Sequence, residues 1–201
     1  MSLPLSYAFA ALLLAGLAPL PALAAKGDPT AGEQRAQACG GCHGAKGVSA
    51  MPGVPSLAGQ QDGFLQWQLV FFRSGRRNNP IMSVLAQGLS DEDVRNLGAY
   101  YATLAPPTPP ASPVADQAAL VEVGKAVAEQ HHCASCHTDN FAGKQAAARI
   151  ADQRAEYLEH SLADYRSAAR PSTGVAAMNE AAAGLSDDDI KALAAYLANL
   201  P

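Results

Sequence analysis

Two short stretches decide the fold: Cys39-Gly40-Gly41-Cys42-His43 and Cys133-Ala134-Ser135-Cys136-His137. They hold all four cysteines of the 201-residue chain, and they lie 94 positions apart. Each places two thiols and an imidazole within five consecutive residues, the span of little more than one helical turn. Similarity continues beyond them. Gln60, Phe64, Leu65, Leu69, Phe72 and Arg73 find partners in Gln153, Tyr157, Leu158, Leu162, Tyr165 and Arg166. Gly88-Leu89-Ser90-Asp91-Glu92-Asp93 recurs 96 positions later as Gly184-Leu185-Ser186-Asp187-Asp188-Asp189. The chain is an internal duplication.

Between the copies, Ala105 to Pro113 holds five prolines in nine residues, a composition that excludes helix and inner strand and favours a stiff spacer. Residues 26–105 and 116–201 are therefore expected to be two small domains, joined by a linker at 106–115. Residues 3–25 carry no charge, are mostly Leu and Ala, and end in Ala22-Leu23-Ala24, an A-x-A pattern. Residues 1–25 read as a secretory signal peptide for the general export route, with a retained membrane anchor as the competing reading. Hydrophobic residues make up 49% and charged residues 16%, with a net charge of −4; this excludes a wholly disordered chain and disfavours binding to nucleic acid. The charge divides unevenly, +1 over residues 26–105 and −5 over 106–201. Arg73, Arg76 and Arg77 cluster in the first half, either as a solvated face, as partners for anionic groups, or as a surface that steers one partner.

Each half reads as helical. Asp28-Pro29 is an N-cap followed by a proline at the first helical position. Ser90 with Asp93, and Ser186 with Asp189, form capping-box starts. The helices after them place Val94, Leu97, Tyr101 and Leu104 on one face, and Ile190, Leu193, Leu197 and Leu200 on the matching one. A middle helix is predicted over 63–74, with Phe64, Trp67, Tyr157 and Tyr165 as core aromatics. The expected class is all-α: two tandem helical domains, each too small to be stabilised comfortably by its own side chains.

Four chemistries use cysteine pairs. A structural zinc site would have to bridge two repeats across the proline strap. A thioredoxin-like redox pair wants a βαβ context, which is absent, and disulfides would leave the histidines unexplained. Covalent attachment of c-type haem uses every residue of the motif: two thiols add to the porphyrin vinyl groups and the imidazole is held against iron. Two haem c groups are therefore expected, attached at Cys39 and Cys42 and at Cys133 and Cys136, with His43 and His137 as axial ligands. Met82 lies 39 residues after His43 and Met178 lies 41 after His137, each six residues before its Gly-Leu-Ser-Asp start. That symmetry marks them as the second axial ligands, over Met51, which has no counterpart. His160 is an alternative ligand in the second half. His/Met coordination leaves no open iron position, so one-electron transfer is expected rather than catalysis; a dihaem peroxidase and a haem sensor are weaker readings.

With Pro55-Ser56-Leu57-Ala58-Gly59-Gln60 and Asn79-Pro80-Ile81-Met82 added to these motifs, residues 28–201 resemble the cytochrome c4 family, periplasmic dihaem proteins built from two class I-like cytochrome c domains. The resemblance implies His/Met ligation of both haems and shuttling of electrons to terminal oxidases from a quinol-oxidising complex, sometimes at the membrane. A dedicated electron-transfer subunit of a membrane dehydrogenase or oxidase would have the same sequence features. The resemblance also implies that the Pro55 carbonyl accepts a hydrogen bond from His43. In the second half Ala148-Arg149-Ile150-Ala151-Asp152-Gln153 replaces the proline-containing segment, so the backbone there is expected to be less constrained.

Overall fold

The computed structural model describes residues 26–108, 117–172 and 177–200. The leader and most of the proline strap lie outside the described residues. The first half comprises α1 (Pro29–Ala36), α2 (Gly40–His43), α3 (Asp62–Arg73), α4 (Met82–Gln87) and α5 (Asp91–Thr103). The second repeats them as α6 (Ala118–Gln130), α7 (Ala134–His137), α8 (Ala155–Arg166), α9 (Ala177–Ala183) and α10 (Asp187–Leu197). Among the described residues the only β pairing is an isolated bridge between Lys144 and Ala147.

The predicted starts are present. Asp28 caps α1 by accepting from the Thr30 N–H at 2.8 Å, and both capping boxes are complete, at Ser90/Asp93 and Ser186/Asp189. Val94, Leu97 and Tyr101 are buried, as are Ile190, Leu193 and Leu197. Each half has its own hydrophobic cluster, one around Leu65, Leu97 and Tyr101, the other around Leu158, Leu193 and Leu197. Trp67 departs from expectation: it is 45% exposed and leans on Phe71, with ring centroids 5.5 Å apart. Its place on α3 faces outward, and its counterpart His160 on α8 is exposed as well.

In each half the first and last helices cross at close range, and glycine permits it. A Cβ on Gly32 would sit 2.0 Å from the Asn96 carbonyl oxygen, and one on Gly124 would sit 2.0 Å from that of Ala192. Arg73 and Arg166 tie the middle helices to the last ones in the same way. Arg73 bonds the Leu89 carbonyl at 2.9 Å and the Asp91 carboxylate, and Arg166 bonds the Leu185 carbonyl at 2.9 Å and the Asp187 carboxylate.

The copies differ in backbone economy. Gly44, Gly47, Gly59 and Gly75 take positive φ in the first half. Their counterparts Thr138, Phe141, Asp152 and Ala168 keep positive φ although none is glycine. The fold therefore dictates these turns, and the second half bears a steric cost there that the first does not.

Thermal unfolding should separate the two glycine roles. Gly124→Ala is expected to lower stability by about 1–3 kcal/mol through the blocked crossing. Ala168→Gly, at an exposed turn, should raise it by up to about 1 kcal/mol. The capping boxes also predict an acid limb. Hydrogen bonds from the Ser90 backbone and hydroxyl, and from the Ser186 hydroxyl and backbone, hold Asp93 and Asp189 below the usual carboxylate range. A carboxylate depressed in the folded state stabilises it above the unfolded pKa, and that contribution disappears as pH falls through the folded value. Asp93→Asn combined with Asp189→Asn should therefore flatten the loss of stability between mildly acidic and strongly acidic solution.

Candidate functional site

Both Cys-x-x-Cys-His motifs fold into single helical turns, α2 and α7, and both end in a residue at positive φ, Gly44 or Thr138. No disulfide joins Cys39 to Cys42 or Cys133 to Cys136. Burial pushes the Cys39 and Cys133 thiols up, which is the wrong direction for a thiolate redox pair.

The imidazoles of His43 and His137 are each only 7% exposed. Nδ1 of His43 lies 2.8 Å from the Pro55 carbonyl oxygen, and Nδ1 of His137 lies 2.7 Å from that of Ala148. A carbonyl can only accept, so Nδ1 carries the proton and Nε2 keeps its lone pair. Burial lowers both imidazole pKa values, and the carbonyl bond opposes this more weakly. Two neutral rings of fixed tautomer are thus presented as metal ligands.

A cavity of about 450 Å³ opens in the second half. Cys133, Cys136, His137 and Met178 line it, with Gln60 and Phe64 of the first half completing the wall. The structure therefore gathers the four residues chosen for the second site. His131 and His132 also border this cavity, whereas His160 borders a different, outer depression. Met82 opens α4, placed there by the Asn79 side chain, which accepts from the Ile81 and Met82 N–H groups at 3.0 and 2.9 Å. In the second half Asn179, next to Met178, donates to the Tyr165 and Arg170 carbonyls at 2.9 and 3.0 Å. Met51 is exposed in a loop.

The arginine cluster of the first half does not form one patch. Arg73 is occupied by Asp91, Arg76 lies over Phe71, and Arg77 turns inward over Phe72 to donate to Gln68 Oε1 at 2.7 Å. Arg170, its counterpart in the second half and 2% exposed, donates to the same Gln68 oxygen at 2.8 Å and to Ser161 at 2.8 Å. Two guanidinium groups thus meet at the boundary between the halves, and among the described residues no carboxylate is bonded to either and Nε of Arg170 has no partner. Burial pushes the nearby Tyr157 phenol up, but the cations of Arg170 and Arg77 outweigh it and bring it down to about 7. Such a site asks for anionic groups. A haem, with its apolar ring and two propionates, fits the cavity, the thiols, the neutral imidazole and these cations together.

The boundary itself is built by side chains that sequence reading had paired only as repeats. Gln60 bonds the backbone of Arg149, and Gln153 bonds the backbone of Ser56, each through both amide atoms. The segment expected to be loose is therefore held. Arg149 is further tied to Asp152 at 2.7 Å, and the Ala148 carbonyl is in place for His137.

Two helical halves, each presenting thiols and a carbonyl-held imidazole on one turn, define a c-type cytochrome with two attachment sites. Comparison with known proteins narrows the class. The family model for cytochrome c matches residues 121–201. A cytochrome c4 from Pseudomonas aeruginosa is 36% identical over 181 residues, covering 88% of this chain and 90% of that one. A thiosulfate dehydrogenase electron acceptor from Stutzerimonas stutzeri is 37% identical over 175 residues, covering 82% of this chain and 80% of that one. The crystal structure of reduced recombinant cytochrome c4 from Pseudomonas stutzeri superimposes with a TM-score of 0.78 at 30% identity, covering 87% of this chain and all of that one (100%). The chain belongs to the cytochrome c4 family. It is a dihaem electron-transfer protein, not an enzyme, and it carries two covalently bound haem c groups.

Proposed function

We propose that the protein is a periplasmic carrier of single electrons, with thioether bonds at Cys39, Cys42, Cys133 and Cys136 and with axial pairs His43/Met82 and His137/Met178. The observation that carries this reading is the buried His137, its Nδ1 committed to Ala148, sharing a cavity with Cys133, Cys136 and Met178. Haem iron, when bound, alternates between the ferric and ferrous states and so holds one electron. The chain's own residues set the conditions. The imidazoles of His43 and His137 and the sulfurs of Met82 and Met178 would hold the iron on both sides and keep exogenous ligands out, and thioether sulfur with an apolar wall would favour the ferrous state. Arg77 and Arg170 supply positive charge for the propionates at the boundary between the halves.

Residues 1–25 serve as the export leader, and 106–115 tether domains at 26–105 and 116–201. Among the described residues no helix is long and apolar enough to cross a membrane. Electrons enter from a quinol-oxidising complex and leave to a terminal oxidase, and the opposed net charges of the halves, +1 and −5, suit two different partners. A second reading, acceptor for a dedicated dehydrogenase, is favoured by the similarity to a protein named as a thiosulfate dehydrogenase electron acceptor.

An optical redox titration of purified protein should take up two electrons per chain, and the reduced protein should not bind carbon monoxide. Met178→Ala should open the second haem alone to that ligand, and unchanged behaviour would remove Met178 from the ligand set. Stopped-flow reduction distinguishes the donors. A rate with a quinol-oxidising complex well above that with thiosulfate dehydrogenase supports the respiratory shuttle, and the reverse order supports the second reading. Raising ionic strength should slow both half-reactions if the charged halves steer their partners.

A further inference from the structure

The two amide clamps do more than join the halves. Ser56 N–H donates to Gln153 Oε1 at 2.8 Å, and that N–H belongs to the same peptide group as the Pro55 carbonyl, which accepts from His43 Nδ1 at 2.8 Å. Arg149 N–H donates to Gln60 Oε1 at 2.6 Å, and its peptide group includes the Ala148 carbonyl, which accepts from His137 Nδ1 at 2.7 Å. Each glutamine closes the clamp through Nε2, Gln153 to the Ser56 carbonyl at 2.9 Å and Gln60 to that of Arg149 at 3.0 Å. Gln60 is 5% exposed and Gln153 6%, so water does not compete for these bonds. Each amide oxygen also accepts from the next residue's N–H, Gln61 or Arg154, at 3.0 Å, which fixes its orientation.

A peptide group is a conjugated unit, and a hydrogen bond at its N–H polarises its carbonyl oxygen. A more negative oxygen pulls harder on the imidazole N–H and makes the ring a stronger donor at Nε2. We infer that Gln153 tunes the haem of the first half and Gln60 tunes the haem of the second, each acting across the boundary through one peptide group on the axial histidine. This rests on His43 and His137 being the axial ligands. Both are positioning residues: each acts through a backbone amide of the opposite half, and both also line the second-half cavity. A stronger imidazole donor favours ferric iron, so the clamps lower both potentials and link the docking of the halves to their redox poise. A movement that parts the halves would raise both.

The test is a redox titration of holoprotein variants, with the haems assigned by NMR of the ferrous state. Gln153→Leu removes both clamp bonds at Ser56. It is expected to favour reduction of the first haem by about twofold to fivefold and to shift the second, whose cavity Gln153 also lines, by less; a tenfold change corresponds to 59 mV for one electron. The His43 Nδ1–H resonance should move upfield as its bond weakens. Gln60→Leu should produce the mirror result at the second haem and His137. Gln153→Glu, which keeps an acceptor for Ser56 N–H, should hold the first haem at or below its original potential; this variant decides the matter if the leucine substitution unfolds the chain. Gln61→Ala, which removes the bond from Gln61 to the Ala142 carbonyl at 3.0 Å, loosens the boundary without touching either relay and should shift neither haem selectively. Equal shifts of both haems in Gln153→Leu, a shift confined to the second, or none would overturn the relay. The axial assignment fails separately, if the His43 ring protons in ferrous protein lack the large upfield displacement that a porphyrin imposes on its ligand.

Discussion

The hydrogen bond from His43 and from His137 to a backbone carbonyl is the interaction on which the rest of the structure depends. It selects the tautomer, leaves Nε2 free, and holds the ring where the two thiols of the same turn can secure a planar group beside it. The demand propagates outward. The carbonyl must belong to a segment of fixed shape, the segment must be held in place, and the helices beyond it must leave room for the ring. Pro55 stiffens the first segment from within. Ala148 has no such stiffness, and the second segment takes its shape from Gln60 of the other half and from the Arg149–Asp152 pair.

This dependence explains why the halves are not independent beads on a proline strap. The contacts between them come from the loops and side chains that support the histidines, while helix packing runs within halves, α1 on α5 and α6 on α10. The buried cations Arg77 and Arg170 share Gln68 at the same boundary. Buried hydrogen bonds of fixed direction give the boundary a defined geometry rather than a greasy one. The buried arginines and the amide clamps are parts of one polar seam.

The duplication is preserved in geometry more strictly than in chemistry. Crossing glycines, capping boxes and helix-tying arginines recur in register. The turn glycines do not: Thr138, Phe141, Asp152 and Ala168 accept left-handed backbone that glycine would adopt without strain. Phe141 and Asp152 are buried, and the packing around them over-determines their conformation.

Much of the architecture was legible from one dimension because its signals are local. Two thiols and an imidazole on one turn, a serine three residues before an aspartate, and apolar residues at helical spacing each act within a few residues of chain. From these followed the helical class, the repeats, the capping boxes and the histidines with their cysteines. What only the tertiary structure decided depends on residues remote in sequence. It turned Trp67 outward, dispersed the arginines 73, 76 and 77 to three different partners, and brought Arg170 onto Gln68. It also set each glutamine on the peptide that supports the other half's histidine. A side-chain amide shows no preference for its partner in the sequence; its partner is chosen by which backbone N–H the folded halves leave within reach and shielded from water.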